Sequence, residues 1–266
     1  MSQPLIPPAG TKVELKQYST SDTPGIKKEQ GLAELAKLQV RLNELQDILA
    51  ADERYAMLVL LQAIDAGGKD GTVKAVFREV GPLGCNVVSF GVPSEEERNH
   101  DYLWRCHARM PARGHLTIFN RSYYEDVLAV RVRGFAPKEV WSKRYDHINA
   151  FEKMATDEKT VILKFFLHVS KEEQRVRLQA RVDDARKQWK FRKGDLEDRA
   201  HWEMYQEAFE DMLTKCNTGY APWHIVPADH NWYRDLLVAR AVVERLQKLE
   251  LRYPKPEDDL AGIRIT

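Results

Sequence analysis

A nearly unbroken apolar run at residues 55–64 passes directly into Asp65-Ala66-Gly67-Gly68-Lys69-Asp70-Gly71-Thr72. A run this short, without polar alternation, suits a strand buried on both faces, as in a parallel sheet covered by helices. After the glycines the period changes. Val73, Val76, Phe77 and Val80 fall on one side of a helix that stops at Gly81-Pro82.

The strand-then-helix unit recurs. Residues 86–90 read as a second strand, and Ser94-Glu95-Glu96-Glu97 opens a helix with a serine cap and an acidic first turn. Residues 115–120 read as the third strand and 137–158 as helical. Residues 161–169 form the fourth strand, 171–187 a strongly basic helix, 197–215 another helix, 223–227 the fifth strand and 232–251 the last long helix. Ahead of them, Leu32, Leu35, Leu38, Leu42 and Leu45 mark a helix over 28–51. That helix lies outside the sheet pattern and could serve as an interface. The expected organisation is an irregular arm at 1–27 partly wrapped on the body, one α/β domain at 28–254, and a loose tail at 255–266. In such folds ligands sit at the carboxyl ends of the strands. Three chemically rich segments fall there: 65–72, 120–126 and 170–192.

The first of these has the parts of a phosphate cradle. Gly67 and Gly68 let backbone N–H groups approach an anion, Lys69 supplies a cation, and a helix starts at once, with Gly71 and Thr72 in its first turn. The match to G-x-x-x-x-G-K-[ST] is imperfect, because Ala63 replaces the first glycine and Asp70 the Ser/Thr. A plain glycine turn is the competing reading. Asp65 would repel a bound phosphate unless a cation lay between them, and Mg²⁺ is commonly held this way. In the second segment, Arg121 beyond a strand end faces the same crevice and suits spread phosphoryl charge. Asn120, Glu125 and Asp126 could hold metal water or the acceptor, or could simply cap a solvated helix.

The order of the motifs sharpens this. The 65–72 segment, then Phe119-Asn120-Arg121-Ser122-Tyr123-Tyr124-Glu125-Asp126, then Ser170-Lys171-Glu172-Glu173-Gln174 with Arg177 and Arg181, resembles the polyphosphate kinase 2 family over about residues 28–250. The resemblance implies a three-layer α/β/α P-loop kinase-like fold. It would have a central parallel five-stranded sheet and a helical lid at about 170–195. It implies Mg²⁺, with Mn²⁺ as an alternative ion, and reversible transfer from inorganic polyphosphate to AMP and ADP without a phosphoenzyme. It marks Asp65, Lys69, Arg121, Arg177 and Arg181 as catalytic. Gly67, Gly68, Asp70, Gly71, Thr72 and Lys74 join Lys69 and the arginines as polyphosphate contacts. Asn120, Tyr124, Glu125 and Asp126 face the nucleotide, and Asp65, Asn120 and Glu125 the metal. Asn120, where many members have Asp, is similar to the subgroup that accepts AMP as well as ADP. An ATP-dependent P-loop kinase is the rival reading.

Arg177 and Arg181, four apart, share a helix face. Trp189 and Phe191 are expected to anchor the far end of this segment to the body. With 41 basic and 40 acidic residues, the balance of charge points to neither nucleic acid nor membrane as a partner. No stretch approaches the roughly 20 apolar residues of a membrane helix. Residues 1–22 hold Pro4, Pro7, Pro8 and Gly10 and no apolar run. Cys85, Cys106 and Cys216 lack CxxC spacing. A reducing cytoplasm is the expected setting, and a homo-oligomer the expected state.

Overall fold

The computed structural model of the chain describes residues 5–256 and 263–265. Five strands form one all-parallel sheet: β1 (Ala56–Gln62), β2 (Cys85–Ser89), β3 (Leu116–Asn120), β4 (Thr160–His168) and β5 (Trp223–Pro227), in the spatial order β2-β3-β1-β4-β5. The apolar run is the centre of this sheet. Every residue of β1 is buried, whereas β2, at an edge, leaves all five of its residues partly or fully exposed.

The longer helices are α1 (Lys28–Asp52), α2 (Lys69–Val76), α3 (Arg144–Asp157), α4 (Lys171–Asp183), α5 (Lys193–Ala200), α6 (Trp202–Lys215) and α7 (Asn231–Gln247). The chain leaves β1 through α2 toward β2, but leaves β3 and β4 in the opposite direction, toward β4 and β5. Right-handed crossovers then place α2 on one face of the sheet and α3 and α6 on the other. A crevice opens at the carboxyl end of β1, where these directions diverge. Register brings the neighbouring ends level, with Leu61 opposite Asn120 and Ser89 opposite the same residue.

The leucine stripe of α1 is used inside the chain. Leu35, Leu42, Leu45 and Leu49 are buried, and α1 packs along α7. Gly31 permits the close approach, since a Cβ there would meet the Trp232 ring. Arg240 of α7 closes a bidentate pair on Glu34 at 2.6 Å. Only Leu32 and Val40 of α1 stay exposed among its large apolar side chains.

Several sequence expectations are corrected in detail. The helical stretch 137–158 breaks into a short turn, Lys138–Trp141, and α3. The basic helix ends at Asp183 rather than 187, because Asp184 is extended and accepts from the Arg186 and Lys187 side chains. The arm lies on the body: Leu5 pairs with Ile225, Val13 and Leu15 are buried, and Thr20 donates to Asp229 at 2.7 Å. Most of the tail expected beyond Pro254 lies outside the described residues. Among the described residues no helix is long and apolar enough to cross a membrane, and the three cysteines are free.

Candidate active site

The loop after β1 turns on Ala66 (φ 62°) and Gly68 (φ 105°), and α2 begins at Lys69. Any Cβ at Gly68 would run into the Arg234 guanidinium, so this position needs glycine for space as well as for conformation. The Lys69 side chain folds back under the loop, its Nζ donating to the Ala63 carbonyl at 2.8 Å. Burial pushes its ammonium down to about 8. The charge of Arg121 acts in the same direction and Asp65 opposes it.

β3 delivers the second group. Arg121 sits just past the strand end with φ 64°, a left-handed conformation costing about 1–2 kcal/mol for a residue with a Cβ. Its N–H donates to the Leu61 carbonyl at 3.1 Å, and its guanidinium pairs with the Asp65 carboxylate. Burial works to raise the Asp65 carboxyl, but the charges of Arg121, Lys69 and Arg181 outweigh it and hold the group below its ordinary range. Asn120 donates to Asp70 at 2.8 Å, and Lys190 reaches the same carboxylate at 3.2 Å.

Glu125 lies beside this pair. Burial raises its carboxyl against Arg121 and Lys69. The Gln62 amide, in the orientation that satisfies both neighbours, donates to Glu125 at 3.0 Å and accepts from Ser122 Oγ at 3.0 Å. Asp126 accepts from Arg144 at 2.8 Å, and burial pushes it up to about 6 against Arg144 and Arg105.

The third group comes from α4, capped by Ser170, whose Oγ accepts from Glu173 N at 3.0 Å. Arg177 and Arg181 face the crevice together. Arg177 donates to the carbonyls of Ala228 at 2.5 Å and Ala66 at 3.3 Å and pairs with Glu173 at 2.8 Å. Arg181 reaches Asp195 at 3.3 Å. Gln174 is fully buried and donates to the Asp65 carbonyl at 3.0 Å, tying α4 to the loop.

These segments enclose one cleft of about 1330 Å³, above the few hundred to 1,000 Å³ of a pocket for one drug-sized ligand. It is lined by Asp65, Gly67, Gly68, Lys69, Asp70, Gly71, Asn120, Arg121, Glu125, Asp126, Arg177 and Arg181.

Three expected contacts are not brought there. Tyr124 is no base platform. Its ring is fully buried, its hydroxyl donates to Glu152 at 2.8 Å, and it packs edge-on against Trp223. Thr72 is buried within α2 and donates to the Gly68 carbonyl. Lys74 is exposed and off the cleft, so the cationic wall runs through Lys187 and Lys190 instead. Trp189 anchors nothing: it is 76% exposed at the cleft mouth.

The structure adds residues that local motifs did not reveal. Arg234, at the start of α7, is buried behind Gly68 and pairs with Asp235 at 2.7 Å. Arg133 lines the cleft and pairs with Asp198 at 2.7 Å. Burial raises the carboxyls of Asp195 and Asp198, and the charge of Asp65 adds to it. Arg234 could have been noticed only from its place just beyond the end of β5.

A buried strand, a glycine turn holding lysine, and arginines from two further segments are the parts that a phosphate site requires. The profile of the polyphosphate kinase 2 family matches residues 25–254. The chain belongs to the polyphosphate kinase 2 family. It is 54% identical over 248 residues to the AMP/ADP-polyphosphate phosphotransferase of Meiothermus ruber, covering 92% of this chain and 93% of that one. It is 41% identical to the ADP-polyphosphate phosphotransferase of Rhodopseudomonas palustris, covering 92% and 90%. The crystal structure of polyphosphate kinase 2 from Arthrobacter aurescens superposes with a TM-score of 0.91 at 40% identity, covering 96% of this chain and 92% of that one.

Phosphotransferases of this family work with a divalent metal. The donor set fits one that brings its other ligands with it. Asp65 is kept ionised at the cleft floor with Glu125 close by, while among the described residues no three His, Cys, Asp or Glu side chains form a ready cage. A hard cation held by one or two carboxylates, phosphate oxygens and water needs no more.

Proposed function

We propose that this chain transfers the terminal phosphoryl group of inorganic polyphosphate to AMP and ADP, giving ADP and ATP, reversibly and with Mg²⁺. The observation that carries this is the convergence of Lys69, Arg121 and Arg181 on Asp65, with Arg177 lining the same wall, in a single cleft large enough for two phosphorylated ligands. The names of the Meiothermus and Rhodopseudomonas relatives support the donor and the acceptors.

In this reading the loop N–H groups and Lys69 hold the donor phosphates. Arg121 and Arg181 stabilise the charge that spreads over the equatorial oxygens during in-line transfer. Arg177 does the same from the far wall while clasping the Ala66 and Ala228 carbonyls. Asp65 would hold Mg²⁺ or Mn²⁺, with Glu125 and Asn120 near it. That ion would neutralise phosphate charge and orient oxygens. The 170–195 segment acts as a lid that excludes water. Its ties to the body include Gln174–Asp65, Arg177–Ala228 and Lys190–Asp70.

No phosphoenzyme takes part. His115 and His168 lie outside the cleft lining, and burial lowers the basicity of His168. Asp126 and Asn120 contribute to the acceptor side. A cytoplasmic setting and self-association belong to the same proposal, with exposed Leu32 and Val40 on α1 as candidate contacts. Light scattering tests the second point.

The deciding experiment is nucleotide analysis after incubating the purified protein with AMP, Mg²⁺ and long-chain polyphosphate, without ATP. ADP followed by ATP, abolished by chelator, is expected. ATP from ADP but nothing from AMP would remove AMP from the acceptors. No product from either acceptor would leave the ATP-dependent kinase reading.

A further inference from the structure

Behind the Arg121 turn, outside the cleft lining, lies a buried charged node. Lys164 of β4 and Glu152 of α3 are both completely buried and pair at 2.6 Å. Tyr123 and Tyr124 both donate to Glu152 Oε1, at 2.9 and 2.8 Å. Lys164 donates to the Tyr124 hydroxyl at 3.0 Å and to the Cys216 carbonyl at 2.7 Å. Every strong donor and acceptor is thereby satisfied, as a buried network requires. A buried ion pair is a poor source of stability compared with apolar side chains of the same volume. Fold stability alone therefore does not account for it.

Its position does. Tyr123 and Tyr124 belong to the turn that begins with Arg121 and ends with Asp126. Arg121 holds a left-handed backbone that its own side chain does not favour. The same helix grips the turn a second time, since Arg144 of α3 donates to the carbonyl and carboxylate of Asp126 at 3.1 and 2.8 Å. With both tyrosines pulled into the core and Asp126 clamped at the rim, Arg121 and Glu125 are left facing the cleft.

We propose that Lys164, Glu152 and Tyr124 are positioning residues that hold the Arg121 turn in register with Asp65. This rests on the role given to Arg121 above.

The test uses Tyr124→Phe, which keeps the ring and removes the link. It also uses the pair Lys164→Met with Glu152→Gln, which strands no charge. Each is made in the wild-type and Arg121→Ala backgrounds. In the wild-type background kcat should fall about tenfold, as a small misplacement of a reacting group does. KM for ADP should change less than about twofold, at a temperature well below melting. In the Arg121→Ala background the same changes should add nothing. A lower melting temperature with unchanged kcat would reduce the node to a structural role and overturn the proposal. An equal loss in both backgrounds would overturn it too, because the node would not act through Arg121. Near-normal turnover of Arg121→Ala alone would instead remove the role of Arg121 itself, and the proposal with it.

Discussion

Asn120 of β3 donates its amide to the Asp70 carboxylate at 2.8 Å, joining the second strand-end motif to the first turn of α2. Asp70 also receives Lys190, and although burial raises its carboxyl, these two partners and Lys69 hold it below the ordinary range. Replacing Asn120 by Asp would set two carboxylates against each other, which needs a cation or a shared proton. Asn120→Asp should lose about 1–2 kcal/mol in chelator through the lost hydrogen bond and the like charge. It should recover most of that in Mg²⁺. Melting curves with and without Mg²⁺ check this; a variant that melts like the wild type in both conditions would count against it.

Asp65 and Arg121 face each other across the cleft floor. On the proposed mechanism, Arg121→Ala removes a donor aimed at developing charge and should cost on the order of 10²–10³ in kcat. Asp65→Asn should lose at least as much, together with its response to Mg²⁺. Both should keep the circular dichroism spectrum of the parent, since the pair lies at the cleft floor, where both side chains retain some contact with solvent.

The position of Lys69 sets a pH dependence. Its ammonium is depressed to about 8, so it is charged below that value and neutral above it. Affinity for polyphosphate should therefore fall as pH rises through about 8. An isothermal titration series from pH 7 to above 9 should show the inflection. Lys69→Arg, which stays charged throughout, should remove it. A flat wild-type profile would mean that Lys69 does not meet the polyanion as a free ammonium.

Binding of a polyanion by a wall of cations must be screened by salt. KM for long-chain polyphosphate should rise steeply between low and high ionic strength, while melting temperature changes little. Constant KM across that range would argue against the cationic wall formed by Arg177, Arg181, Lys187 and Lys190.

The sequence made the sheet legible because β1 is a continuous apolar run, β4 is one interrupted by Lys164, and the helices between them keep a different period. It located the cleft as well, because Asp65, Arg121 and Arg177 each follow a strand end. Sequence did not reveal what lies behind these groups. Tyr124 looked like a ligand contact because it stands beside Arg121. The partners that bury it, Glu152 and Lys164, are 28 and 40 positions away. Arg234 was missed for the same reason: its meeting with Gly68 depends on where α7 packs. Trp189 was misjudged because helical spacing was carried past Asp184, where the chain becomes extended and turns the indole outward.

Arg121, Arg181, Arg133 and Lys190 are paired with Asp65, Asp195, Asp198 and Asp70 of the same chain. Any anion entering the cleft must compete with these internal carboxylates for the same donors. A lone orthophosphate can replace few of them at a time and gains little by it. Linked phosphates can replace several in one event, because once the first unit is seated the rest arrive at high effective concentration. On the proposed function the cleft should therefore grade inorganic phosphates by valency, responding weakly to orthophosphate and strongly to chains.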